Sequence, residues 1–414
     1  MARGVRARPR QGRGRPAGAE ADRPGDRQAG GSRPAATGAL SSRASTTSAP
    51  RREPPARRLA VRRAASQLLA RPARVAHPAD VTRLAGPVQA QEPRAARLAF
   101  RARARGLLAA DVDRARCEER SLLRAWMMRR TAHLIATEDA GWLLPLFADS
   151  LARQARKRMA DFGLDREGQD RALSLLQGAV QSDGPLTRPE LAVRLTEAGF
   201  DASQQIKVHL WVLATVEGGL CLGPDRGGQT CLVATRDWIG ELERPSREAS
   251  LAELARRYLR AYAPADARDL ARWAGLPQRD ARAGFEAIAP ELSAARGAGE
   301  TLYSLAAERR RAAAGPVVRM LGAYDNYNLG YVSREFAVSP DHERRIAPGG
   351  GIIRPTISVD GRFVGTWASK RSGSRLAVTI EPFGELEPAV EEAIEAEIAD
   401  LGRFEGLSAE RVVI

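Results

Sequence analysis

The sequence predicts an α+β protein built from repeated helical units and closed by a small β-barrel-like module. Three observations carry this reading. Helix-start residues recur at regular spacing across 165–306, and each third helix there is followed by two short apolar runs. Beyond residue 316 the pattern changes to alternating runs, with Asp360-Gly361 between two of them, a strong hairpin turn. The last long segment, LEPAVEEAIEAEIADLGRF, is an amphipathic acidic helix suited to packing on that sheet.

In chain order, residues 1–58 are Arg, Pro, Gly, Ala and Ser with almost no large apolar side chain. They cannot bury a core, so a disordered tail that adds nonspecific phosphate affinity is expected, unless the start codon is misassigned. No apolar h-region follows the early arginines, and no run is long enough to span a bilayer, so a cytoplasmic, nucleoid-associated location is expected. A first domain, 59–160, opens with LAVRRAASQLLA and a Pro-started helix at HPADVTRLAG. It continues through SLLRAWMMRRTAHLIATEDAGWLLPLFA, where a strand-like run precedes a helix capped near Thr137 or Asp139.

The second domain, 165–243, has three helices, RALSLLQGAVQ, TRPELAVRLTEAGF and SQQIKVHLWVLATVEGG, with Thr187 and Ser203 as caps. LCLGP and TCLVAT then form a ribbon joined through Asp225-Arg226-Gly227-Gly228. Three helices followed by a hairpin is the winged-helix order. The third domain, 248–306, repeats it with SLAELARRYLRAY, APADARDLARWAGL and PQRDARAGFEAIAPEL, where Ser250 and Pro264 mark helix starts, and with a strand pair at LSAARG and ETLYSL. This is the pattern of tandem winged-helix (helix-turn-helix) domains arising by duplication. The C-terminal module, 316–414, reads as strands at VVRMLGAYDNYNLGYV, IIRPTISVDGRFVGTWASK and SRLAVTIEPF, a small β-barrel or open sheet with one helix.

The net charge of +15 is distributed unevenly. Residues 1–58 carry fourteen arginines against four acids, and 59–130 carry sixteen against six, which leaves the remaining chain acidic. Only Lys157, Lys207 and Lys370 are lysines, as a high-GC coding bias would give; that bias does not account for the lopsidedness. A polyanion would meet the N-terminal third, and nucleic acid is the commonest such partner. Cys117, Cys221 and Cys231 lack metal spacing and read as free thiols. His77, His133, His209 and His342 form no ligand pattern, so neither a metal nor a cofactor is expected.

The stretch VQAQEPRAARLAFRARARG, Val88 to Gly106, concentrates the chemistry. Gln89 and Gln91 stand one residue apart before a helix started by Pro93 and stopped at Gly106. At about 100° per residue, Arg94, Arg97, Arg101 and Arg105 share one narrow face, with Arg103 opposite. Such a row of cations could grip phosphates beside two neutral, water-binding amides; it could also be a solvated helix face. Trp126, Met127 and Met128 read as core, and Tyr327 and Tyr331 beside Asp325 as buried packing.

These residues resemble a known family. VQAQEPRAARLAFRAR, LRAWMMRRTAHLI, LRAYAPADARDLARWAGL and the C-terminal runs LGAYDNYNLGY and GGGIIRPTISVDGRFVGTW are similar, in order, to the blocks of the AlkZ-like DNA glycosylases, also described as winged-helix DNA-binding-domain proteins. The resemblance, over about 59–405, implies three winged helices and a β-barrel-like module around a DNA channel. It implies that Gln89 and Gln91 are the catalytic Gln-x-Gln pair and that Arg94, Arg97, Arg101, Arg105, Arg129 and Arg130 bind DNA, with His133 either a phosphate contact or a satisfied core histidine. One departure stands out: Arg130 occupies a position where the family pattern has Gly.

The implied substrate is a purine alkylated at a ring nitrogen, such as N7-alkylguanine, bulky or crosslinked. That base is cationic and leaves easily, so catalysis reduces to placing water under the sugar and facing amide dipoles at an oxocarbenium-like centre. Glu92 could act as base, but a Glu before Pro93 also reads as helix N-terminal charge. The scarcity of lysine disfavours a Schiff base, so the enzyme is expected to be monofunctional. The alternative is a non-catalytic winged-helix DNA-binding protein or transcriptional regulator, which the helical units support equally well.

Overall fold

The computed structural model describes residues 55–200, 203–296, 300–308 and 316–412, all within one contact unit, Arg52–Ile414. Most of the expected tail lies outside the described residues. α1 (Pro55–Ser66) already begins inside it, and its Ala60 and Ala64 are buried. α2 (Pro78–Ala85) is the Pro-started helix, and its first turn is closed by Asp80, whose carboxylate accepts from the His77 N–H. β1 (Val88–Gln89) and α3 (Pro93–Arg103) follow, then α4 (Ala109–Cys117), β2 (Leu122–Trp126) and β3 (Ala132–Ala136).

α3 is shorter than the sequence predicts. Ala104 is extended, and the Ala73 segment takes over the backbone pairing: Ala73 N–H donates to Arg103 O and Arg105 N–H to Ala73 O. Arg105 therefore leaves the helix before the glycine stop is reached. Both LLRAW and AHLIA are strands, joined by a tight turn through Arg129 and Arg130.

The helical part continues with α5 (Ala140–Leu143), α6 (Pro145–Asp161), α7 (Arg166–Asp183), β4 (Leu186–Thr187), α8 (Arg188–Glu197), α9 (Gln204–Val216), β5 (Leu220–Arg226), β6 (Gln229–Ala234) and α10 (Thr235–Ile239). Thr187 and Ser203 cap their helices as expected. Gly227 and Gly228, at φ 58° and 76°, make the turn between β5 and β6, a geometry that favours glycine at both positions. The expected boundary between the first two domains is bridged by a continuous sheet, ordered β1-β3-β2-β5-β6-β4, in which Arg124 of β2 pairs with Leu222 of β5.

α11 (Arg247–Tyr262), α12 (Ala267–Ala274), α13 (Gln278–Ala287), β7 (Leu292–Arg296) and β8 (Thr301–Leu305) repeat the order of three helices and a hairpin. Ser250 and Pro264 do not start these helices. Ser246 caps α11, leaving Ser250 buried in its first turn, and Asp266 caps α12 by accepting from Arg268 and Asp269 N–H. In both cases a side-chain acceptor upstream or downstream of the expected position satisfies the free N–H groups.

The C-terminal module is an open five-stranded sheet, ordered β13-β12-β11-β10-β9. Its parts are β9 (Val318–Leu321), α14 (Asn326–Leu329), α15 (Pro340–Ile346), β10 (Thr356–Val359), β11 (Arg362–Ser372), β12 (Arg375–Pro382), α16 (Pro388–Glu405) and β13 (Ser408–Arg411). VVRMLGAYDNYNLGYV is strand only in its first part, because Asp325 accepts the Tyr327 N–H and turns the chain into α14. Asp360-Gly361, at φ 52° and 81°, is the expected turn between β10 and β11. Ile394, Ile398 and Phe404 of α16 share a core with Val378 of β12 and Phe100 of α3. Each such fully buried side chain contributes about 1.5–3 kcal/mol.

Candidate active site

Gln89 closes the edge strand β1 and lies opposite His133 of β3 in antiparallel register; Ala90 N–H extends that pairing by donating to Ala132 O at 2.7 Å. Gln89 is half-buried, and two residues further on Gln91 is exposed. The Gln89 Oε1 accepts from Arg129 Nη2 at 3.0 Å. The same guanidinium reaches His133 Nε2 at 3.5 Å and donates through Nη1 to the carbonyl of Trp273 at the end of α12. Three elements therefore meet at the first glutamine.

His133 is 1% exposed. Its Nδ1 faces the Thr131 carbonyl at 3.0 Å and so carries the proton, which leaves Nε2 as the acceptor toward Arg129. Burial, together with the Arg129 charge, pushes the imidazole down to about 3, so it is neutral at physiological pH. His133 is enclosed in the sheet and touches Arg129, which corrects the expected DNA contact and leaves the core-histidine alternative. Burial, with the Arg272 charge beside it, also pushes Arg129 down to about 10. Arg129 has no carboxylate ion pair among the described residues.

Glu92 is a helix cap. One carboxylate oxygen accepts from Arg94 N–H at 3.1 Å and the other from Ala95 N–H at 2.5 Å, so the group is committed to the first turn of α3.

The arginine stripe divides. Arg101 is 1% exposed at its side chain and donates to Glu397 at 2.7 Å, Asp400 at 2.9 Å and the Met320 carbonyl at 2.7 Å. It is a structural cation under α16 whose Nη donors are taken by carboxylates and carbonyls, which corrects the expectation of an exposed phosphate contact. Arg94 donates to Glu405 at 2.8 Å and to Ser369 at 2.9 Å, and Arg97 to Asp113 at 3.3 Å; both are partly exposed. Arg105 and Arg130 are exposed. Two of the four stripe arginines, Arg94 and Arg101, thus meet the acidic C-terminal helix, while Arg97 turns to α4 and Arg105 stays exposed.

Between α3, α4 and the sheet lies a small cleft that begins at Ala90 and Pro93, with Arg97, Asp113, Arg116, Arg124 and Asp225 in its wall. Arg124 donates to the Thr230 hydroxyl, and its buried Nε has no partner. Burial and the charges of Arg116 and Arg188 hold its pKa below the ordinary value.

Two functional relationships escaped the sequence. Arg103, opposite the stripe, forms a two-fold contact with Asp325 at 2.8 Å for each bond, and Gln67 accepts from the same guanidinium at 2.7 Å. The contact between Gln89 and Arg129 spans forty residues and has no local pattern. Trp126, Met127 and Met128 behave as expected: both methionines are buried, and Trp126 packs on the core. Tyr327 and Tyr331 are buried, their hydroxyls donating to backbone carbonyls.

Neutral amides at an open strand edge, basic side chains beside them and an α+β frame of helix triplets are features suited to a protein that acts on DNA. The chain belongs to the family described as DNA glycosylase AlkZ-like, whose profile matches residues 81–404. It is 30% identical over 314 residues to the interstrand DNA cross-link repair glycosylase of Streptomyces sahachiroi, an alignment covering 70% of this chain and 80% of the relative. Its fold is similar to the solved DNA glycosylase AlkZ of Streptomyces sahachiroi, with a TM-score of 0.69 and 26% identity over 86% of this chain and 99% of that one. The family resemblance and the mixed α+β class expected from the sequence both stand.

Proposed function

We propose that the chain is a monofunctional DNA glycosylase that hydrolyses the N-glycosidic bond of bulky or crosslinked alkylpurines such as N7-alkylguanine. The observation that carries this is the placement of Gln89 and Gln91: two amides at the end of β1, one half-buried and anchored and one exposed, in the family's Gln-x-Gln positions. The crosslinked substrate follows the printed activity of the Streptomyces relative.

In this reading a water held by the pair attacks C1′ as the C1′–N9 bond breaks. The bond electrons neutralise the positive purine, and the water's second proton passes to solvent. No strong acid or base is required, because the leaving group is already cationic. Use of Glu92 as its helix cap supports the amides over the carboxylate. The wall of the adjoining cleft holds no lysine, which supports water rather than an amine as nucleophile. Arg105 and Arg130, with Arg94 and Arg97 on the partly exposed flank, would contact double-stranded DNA. The segments 165–243 and 248–306 read as winged helices, 59–160 as a winged-helix-like domain and 316–414 as a barrel-like module. The working form is a monomer at the nucleoid in the cytoplasm.

The experiment is release of N7-alkylguanine from alkylated duplex DNA by the purified protein. Release by wild type and its loss in a Gln89→Ala, Gln91→Ala double variant is the expected result. No release by wild type, or equal release by both, overturns the proposal.

A further inference from the structure

We infer that Arg129 is a positioning residue that decides which end of the Gln89 amide faces the substrate. The inference rests on the glycosylase reading above and adds a division of labour within the glutamine pair.

A guanidinium can only donate, so the atom of Gln89 that meets Arg129 Nη2 at 3.0 Å must be the oxygen. His133 cannot compete for that oxygen: its Nδ1 proton is spent on the Thr131 carbonyl, and its Nε2 lone pair faces the same Nη2 at 3.5 Å. Both Nη2 hydrogens are thus directed, one at Gln89 and one at His133, while Nη1 is tied to the Trp273 carbonyl. The fork is held by β1, β3 and the end of α12 together, and a planar group fixed at three points cannot swing.

The backbone reinforces this. Arg129 sits at φ 50° and Arg130 at φ 64°, two successive non-glycine residues in the left-handed region. Gly275 makes the approach possible, since a Cβ there would lie 2.9 Å from Arg129 N. A strained turn kept beside the glutamine pair, and seated against a glycine of another helical unit, aims one side chain. With no carboxylate in an ion pair with it among the described residues, the charge bears on the neutral acceptors around it, where charge-assisted hydrogen bonds are strongest.

The consequence is chemical. With its oxygen held, Gln89 has its amide N–H groups left to offer the substrate side, and exposed Gln91 can offer its carbonyl. Gln89 then donates to one lone pair of the attacking water and Gln91 accepts one of its hydrogens, leaving the other lone pair aimed at C1′. Without Arg129 the Gln89 amide can flip and present two acceptors, and the water loses its fixed orientation.

The test is a double-mutant cycle on the full-length protein, using Gln89→Ala, Arg129→Met and the pair, with single-turnover base release and DNA affinity measured separately. Arg129→Met should slow saturating release by about 100-fold, the scale of a misplaced reacting group, and change DNA affinity far less. In the Gln89→Ala background it should cost nothing further. An additive loss in that background overturns the proposal. So does weaker DNA binding with an unchanged saturating rate, which would make Arg129 a phosphate contact alone. A second readout stands apart from activity: the side-chain amide resonance of Gln89, identified by its loss in Gln89→Ala, should move in Arg129→Met and stay in place in Arg130→Met. The other glutamine amides report whether each variant is folded. If that resonance does not move, the orientation argument fails even where release is seen. If wild type releases no base, the glycosylase reading fails, and the resonance still decides the contact.

Discussion

The guanidinium of Arg101 lies 2.7 Å from the carboxylate of Glu397, and the contact is nearly closed to solvent. It fixes α3 to α16 and decides which arginines remain for DNA. Burial alone would lower the Arg101 pKa, but the charges of Glu397 and Asp400 raise it above the ordinary value, so the cation persists inside the fold. Breaking a buried pair leaves an uncompensated charge, so Arg101→Ala should lose about 3–5 kcal/mol of stability. Arg105 gives the opposite pattern. Being exposed, Arg105→Ala should leave the urea midpoint unchanged and reduce the salt slope of DNA binding by about one. A shallower salt slope for Arg101→Ala, with stability kept, would return Arg101 to the DNA surface.

Arg103 and Asp325 form the deepest pair among the described residues, both side chains at 0% exposure and two parallel contacts of 2.8 Å between them. They join α3 to the turn before α14, a second tie between α3 and the C-terminal module beside the Arg101–Glu397 contact. Asp325→Ala should cost about 3–5 kcal/mol, and an Arg103→Met, Asp325→Leu pair should recover a good part of the loss, because two apolar groups remove both desolvation penalties. Urea denaturation of wild type and the two variants measures this. A double variant no more stable than Asp325→Ala would show that the pair's hydrogen bonds, including that to Gln67, cannot be replaced by packing.

Local signals were legible and long-range partners were not. Pro93 as helix start, Thr187 and Ser203 as caps, and the turns at Gly227-Gly228 and Asp360-Gly361 all follow from neighbouring residues, and the structure places them there. The Gln89 and Gln91 motif was equally visible. The stripe was misread in part because helical periodicity tells which residues share a face and not what covers it. Arg101 faces Glu397, nearly three hundred residues away, and only the acidic composition of α16 hinted at the match. The same holds for Arg129, whose partners Gln89 and Trp273 belong to different parts of the chain.

Arg130 tests the one departure from the family pattern. At φ 64° it occupies a conformation that glycine adopts without steric cost and other residues adopt at about 1 kcal/mol or more. Arg130→Gly should relieve that cost and raise stability by about 0.5–1 kcal/mol net of the extra chain entropy of glycine. The exposed charge is lost at the same time, so DNA affinity should fall, with a salt slope smaller by about one. Thermal unfolding and salt titration read the two effects separately. A drop in stability would mean that the Arg130 side chain holds the turn rather than straining it.

His133 sets a pH dependence whose sign is fixed by its burial. Its pKa is about 3 in the folded chain, against about 6.5 when exposed. Between these values the unfolded chain binds a proton that the folded chain does not, so stability rises with pH across the window. The contribution is fully present above about pH 6.5 and is lost as the pH falls toward 3, at up to about 1.4 kcal/mol per pH unit. Buried Asp139 and Asp269, whose carboxyls burial pushes upward, act in the opposite sense. The comparison must therefore be made against a His133→Asn variant rather than against a flat line. Urea unfolding at pH 7, 6 and 5 should show wild type losing stability faster than His133→Asn on going down in pH. Parallel curves would mean that the folded imidazole takes up its proton at the same pH as the unfolded one, which a ring 1% exposed beside the Arg129 cation is not placed to do.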